Sequence, residues 1–185
     1  MRSIRQPFDE FLAEQQAANP FHTTIQQAET AEQRYLRGGG AQALDEAINA
    51  WEQVLQHPDF MDTDENFQLA LIDGSAEMYL RRYWTRAKLS DLATAISRWE
   101  MAVVKTPPDS PDLSRLLSNL GTGLRCRYAR LGELSDLQAG IEAYQQAVAK
   151  TPPDSPDLPV YLNNLGSGLK NRYLRLGDLN DLQAR

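Results

Sequence analysis

Thr106-Pro-Pro-Asp-Ser-Pro-Asp-Leu113 recurs letter for letter as Thr151-Pro-Pro-Asp-Ser-Pro-Asp-Leu158. The copy extends well beyond these eight residues. At the implied offset of 45, residues 106–140 and 151–185 share 24 identities in 35 positions. A fixed period of about 20–50 residues is the signature of a repeat array, in which each unit buries its apolar face against its neighbours. The repeat therefore predicts an all-α solenoid serving as a binding scaffold.

An Arg-Tyr dipeptide anchors the register. Arg34-Tyr35, Arg82-Tyr83, Arg127-Tyr128 and Arg172-Tyr173 are spaced by 48, 45 and 45 residues, which carries the period into the diverged N-terminal half. The expected units are 21–65, 66–110, 111–155 and an incomplete 156–185, preceded by a capping segment over 1–20. In the third unit Leu113, Leu116, Leu117, Leu120 and Leu124 form the stripe of an amphipathic helix, helix A. Ser110 is its expected N-cap, with Pro111 at the first helical position and Gly132 at the stop. Helix B begins near Ser135-Asp136 and carries Leu137, Ile141, Tyr144 and Val148. It must end before Pro152-Pro153, because a proline ring cannot continue the helical hydrogen-bond ladder. Leu44, Ile48, Trp51 and Leu55 repeat this pattern in the first unit, as do Leu92, Ile96, Trp99 and Val103 in the second.

Two segments stand outside the pattern. Pro7-Phe8-Asp-Glu-Phe11-Leu12 reads as a short amphipathic helix; Asp9, Glu10 and Glu14 would repel anionic lipid, so it is expected to cap the first repeat rather than lie on a membrane. The chain's last residues, Asp181-Leu-Gln-Ala-Arg185, correspond to the start of a fourth helix B. A helix A without its helix B leaves an apolar stripe uncovered, so the sequence predicts either a longer protein or something docked there, a second copy included.

Composition narrows the function classes. Net charge is −6 and the isoelectric point about 5.0, with no concentration of Lys and Arg, which argues against nucleic acid as a partner. There is no apolar export segment and no run of 18 apolar residues, so no membrane span is expected. The one cysteine, Cys126, cannot form an internal disulfide and fits a reducing, cytoplasmic setting.

The order of large, Leu-Gly, aromatic, small and proline residues resembles the tetratricopeptide repeat. It is carried by Leu117, Leu120-Gly121, Leu124, Gly140, Tyr144, Ala147 and Pro152, and again by Pro159, Leu162, Leu165-Gly166 and Leu169. The unit of 45 residues is longer than the family's usual one of about 34. It is similar to the long variant found in cyanobacterial and fungal proteins, where arrays often precede a caspase-like CHAT protease domain. The resemblance implies a right-handed solenoid acting as a non-enzymatic adaptor for a protein or peptide, or else as a self-association module.

By the same resemblance, the polar face of helix A lines a concave groove. Its candidate contacts are Arg115, Ser118, Asn119, Thr122 and Arg125 in the third unit, and Asn163, Asn164, Ser167 and Lys170 in the fourth. Asparagine offers both donor and acceptor to a peptide backbone, but it can equally fasten neighbouring helices together. The Arg-Tyr ladder has two readings as well: four cations facing an acidic partner, or each Arg paired with the Asp that opens helix B (Asp91, Asp136, Asp181). Asp59, Asp62, Asp64 and Glu65 lack EF-hand spacing and are expected to form a solvated loop capping the next helix. Cys126 lies far along the chain from His22 and His57, and no Walker A loop, Gly-x-Ser-x-Gly or His-Glu-x-x-His occurs, so neither an enzyme nor a cofactor is expected.

Overall fold

A computed structural model describes residues 20–177 and 179–183, with side chains through Asp181; the capping helix expected around Phe8–Leu12 lies outside them. No strand occurs among the described residues. They fall into two compact units divided between Arg98 and Trp99.

The first unit holds α1 (His22–Leu36), α2 (Gly40–Leu55), a 3-10 turn (Pro58–Asp62), α3 (Glu65–Arg86) and most of α4 (Leu89–Lys105). α2 packs against both α1 and α3. Leu44, Ile48 and Trp51 of the expected stripe are buried with Ile25 and Ala28 of α1 and Leu71 and Met78 of α3. The diverged boundary is a cap, as its acids suggest. Asp64 Oδ1 accepts from the backbone of Asn66 (2.9 Å) and Phe67 (3.2 Å), satisfying the orphan donors that open α3. The sequence did not foresee that Phe60 of this segment turns inward to pack on Phe67.

The second unit holds the end of α4, then α5 (Leu113–Leu131), α6 (Leu134–Lys150), α7 (Leu158–Leu176) and a short α8 (Asn180–Gln183). α6 packs between α5 and α7, and α8 packs on α7. The expected start of helix A needs correction. α5 begins at Leu113, three residues after Ser110, because Ser110-Pro-Asp forms a separate turn: the Leu113 amide donates to Ser110 O (3.2 Å), and the Asp112 amide to Ser110 Oγ (3.3 Å). Ser155 and Asp157 repeat that turn before α7.

Tyr144 is the centre of this unit. It is fully buried, and Gly121 makes room for it. A Cβ on Gly121 of α5 would lie 2.7 Å from Tyr144 Cε1, whereas one on Gly168 of α7 would press on Ile141 Cγ1 at 3.0 Å and meet the ring only at an ordinary 3.6 Å. A helix glycine costs about 1 kcal/mol relative to alanine. Here Gly121 lets the ring lie against the α5 backbone, and the Gly121 carbonyl comes within 3.3 Å of where Gly140 would carry a Cβ.

The Arg of each Arg-Tyr pair fastens helix A to helix B. Arg82 grips Asp91 through two bonds (2.9 and 2.8 Å), Arg127 grips Asp136 (2.8 and 2.6 Å), and Arg172 grips Asp181 (3.0 and 2.6 Å). Such forked pairs hold orientation as well as charge. The first unit lacks the acid at that place, and Arg34 pairs with Glu46 instead. Two of these arginines also reach the preceding helix B at one equivalent position: Arg82 donates to Asp45 (3.2 Å) and Arg172 to Gln138 (2.7 Å). Arg86 adds a second grip on Asp45. The ladder is therefore internal bracing.

The tyrosine of the pair has a backbone role. Its carbonyl accepts the amide of a left-handed residue four positions on, at Gly132 (φ 78°) and Gly177 (φ 76°), each over 2.7 Å. In the second repeat the same bond ends at Ala87, a non-glycine residue at φ 53°. A left-handed L-residue costs about 1–2 kcal/mol, part of which glycine loses again through unfolded-chain entropy. Ala87→Gly should thus stabilise the protein by up to about 1 kcal/mol; an unchanged or lower urea midpoint would show that Ala87 is unstrained.

Candidate functional site

The nine polar candidates on helix A divide by what they touch. Ser118 is buried; its Oγ accepts from the Asn164 amide across the gap between α5 and α7 (3.1 Å). Thr122 donates to Ser118 O (3.0 Å) and accepts from the Tyr144 hydroxyl (3.2 Å). These three residues are bound up in packing, and Asn164 bridges to a neighbouring helix through the Ser118 hydroxyl rather than through backbone. Burial, acting against the Thr122 hydrogen bond, pushes the Tyr144 hydroxyl above its usual pKa, so the ring stays neutral in its slot.

The remaining candidates flank this internal row. Arg115 is half-buried and pairs with Asp112 (3.1 Å); Asn119, Arg125 and Ser167 are half-buried; Asn163 and Lys170 are exposed. The Ser118–Asn164 bond links α5 to α7, both of which pack on α6, so these residues stand on two connected helices. The arrangement offers hydrogen-bond donors and acceptors with two or three positive charges, which suits a peptide backbone or carboxylate.

A second feature escaped the sequence reading. An open groove of about 500 Å³ runs between the end of α4, α5 and α6, with Val103, Leu117, Leu120 and Leu124 at its floor and Glu100 and Glu142 at its edge. Leu120 belongs to the stripe that reads as core, yet it is only half-buried. Two acids on successive B helices were the available signal.

Electrostatics at the bracing pairs give a pH dependence. Burial alone would raise the Asp45 pKa, but hydrogen bonds from Arg86 and Arg82 outweigh it and hold the carboxyl below its usual range. Asp181 is held down chiefly by its bond to Arg172. A carboxylate whose folded pKa lies below the unfolded value of about 3.9 adds stability above that pH, and the gain is lost as pH falls through the folded pKa. The melting temperature is therefore expected to drop steeply below about pH 4. Asp45→Asn and Asp181→Asn should each flatten that acid limb; an unaltered limb in both would refute the assignment.

Among the described residues there is no grouping of three His, Cys, Asp or Glu able to hold a metal, and no helix long and apolar enough to cross a membrane. No protein-family model, curated protein or solved structure matches the chain.

Proposed function

We propose that this chain is a tetratricopeptide-like α-solenoid that binds a protein or peptide in a cytoplasmic setting and performs no chemistry itself. The observation that supports the reading is the Ser118–Asn164 bond, which holds α5 and α7 in register beneath a strip of accessible polar side chains. Asn163, Ser167 and Lys170 are the part of that strip with the fewest packing duties, and they are where a ligand's carboxylate or backbone would be read. The test is a tiled peptide array screened with the wild-type chain and with an Asn163→Ala/Lys170→Glu variant. Selective loss of peptides in the variant, at unchanged melting temperature, supports the strip. Retention of every peptide that the wild type binds would sink it.

A second reading is self-association, favoured by the exposure of Leu174, Leu176 and Leu179 near the end of α7. Light-scattering mass that rises with concentration and falls back in a Leu174→Glu/Leu176→Glu variant would support it.

A further inference from the structure

The open groove beside Glu100 has a filled counterpart one repeat earlier. There Glu52 of α2 accepts from the Tyr79 hydroxyl of α3 (3.1 Å) and from the Arg98 guanidinium of α4, which also stands 4.9 Å over the Tyr79 ring. Arg98 and Glu52 keep only 15% and 23% of their side-chain exposure, so the pair is shielded more than an ordinary surface one. The guanidinium has its charge matched by the carboxylate and its flat face covered by the ring.

One repeat on, the carboxylate is kept and its partners are gone. Glu52 corresponds to Glu100, 48 residues later, whereas Tyr79 and Arg98 correspond to Leu124 and Ala143, 45 residues later. All three of these residues line the groove of about 500 Å³ between α4, α5 and α6. Where the earlier site holds a guanidinium on its stem, this one holds a methyl group. Among the described residues Glu100 makes no hydrogen bond or ion pair. Arg127 lies within its electrostatic reach but is forked onto Asp136. Glu142 adds a second negative charge, and it accepts only from the neutral Gln138 amide (2.8 Å). The groove therefore joins an apolar floor to two carboxylates, and the one cation that lines it is already committed.

We propose that this groove receives an arginine side chain from a partner protein, its guanidinium bonded to Glu100 and lying over Leu124, in the place that Arg98 takes one repeat earlier. Arginine is specified over lysine because a planar, weakly hydrated guanidinium can rest on an apolar floor while forking onto a carboxylate. Leu120, half-buried in the same groove, would meet an aliphatic residue beside that arginine. The site goes beyond the polar strip and does not depend on it: the strip offers positive charge to a carboxylate, and the groove offers carboxylates to a cation.

The test titrates the 185-residue chain into the fluorescent peptide Gly-Ser-Leu-Arg-Leu-Ser-Gly at low salt, read by anisotropy. Saturable binding is expected. Citrulline in place of the arginine keeps the shape but removes the charge, and should weaken binding by about tenfold. Glu100→Gln in the protein should weaken it by about three- to fivefold. Glu100 is exposed, so that variant should melt as wild type does. Ala143→Arg, which restores the side chain that closes the earlier site, should abolish binding. No saturable binding, or binding unmoved by both citrulline and Glu100→Gln, would overturn the proposal. So would equal affinity for a lysine peptide, since the groove would then read net charge alone, or a chain that dimerises through Glu100 without peptide, since the arginine would then come from a second copy.

Discussion

Arg82→Ala is expected to destabilise the protein by about 3–5 kcal/mol, more than the same change at Arg127, because the aspartate it leaves behind is nearly inaccessible. Asp91 retains 3% of its side-chain exposure, against 10% for Asp136. Burying a carboxylate is tolerable only while its charge and lone pairs are matched, and Arg82 matches both oxygens at once. Arg82 also bonds Asp45 and stands 5.0 Å over the Tyr79 ring, so its loss disconnects α3 from α2 and α4 together. Urea melts measure the effect. Arg82→Ala/Asp91→Ala should recover a large share, since the unpaired charge goes with it. A double variant no more stable than the single one, or an Arg127→Ala that costs more, would refute the account.

The second large effect concerns the Tyr144 ring seated on Gly121. Tyr144→Ala removes a fully buried aromatic and is expected to cost about 3–5 kcal/mol. Gly121→Ala in the native chain forces a methyl group to 2.7 Å from that ring; overpacking of about 1–3 kcal/mol outweighs the roughly 1 kcal/mol of helix propensity gained. The two changes should not add. With Tyr144 already truncated the clash is gone, so Gly121→Ala should become neutral or stabilising, tempered by the Gly140 carbonyl 3.0 Å away. Gly166→Ala, the same substitution one repeat later, should stabilise in either background. Additive costs for the first pair would mean that Tyr144 and Gly121 do not constrain each other.

Much of this architecture was written in the sequence because it is local. Helix positions followed from apolar stripes, the Gly132 stop from one residue's tolerance of positive φ, and the Arg–Asp braces from a constant spacing of nine residues. The helix start failed because a serine three residues ahead of a helix can cap a turn as readily as the helix itself. The candidate site was harder to see for a related reason. Ser118 and Asn119 are adjacent in sequence and equally polar, and only the approach of α7 decides that the serine faces inward to meet Asn164. Likewise Gly121 and Gly166 are the same letter in the same repeat position. What separates them is whether a ring lies overhead, a fact of tertiary contact that no local pattern encodes.

The braces carry one more consequence, for the order of events when the chain folds. Arg82, Arg127 and Arg172 each find their aspartate nine residues downstream, across a single turn. Closing so short a loop takes on the order of 10–100 ns and little entropy. Each hairpin can therefore be latched as soon as its second helix begins to leave the ribosome, before later repeats exist. Arg82–Asp45 and Arg172–Gln138 reach back to residues made earlier, so that partner is already present when the arginine emerges. An arginine that serves both contacts joins each new hairpin to the one made before it, so synthesis and assembly proceed in the same direction.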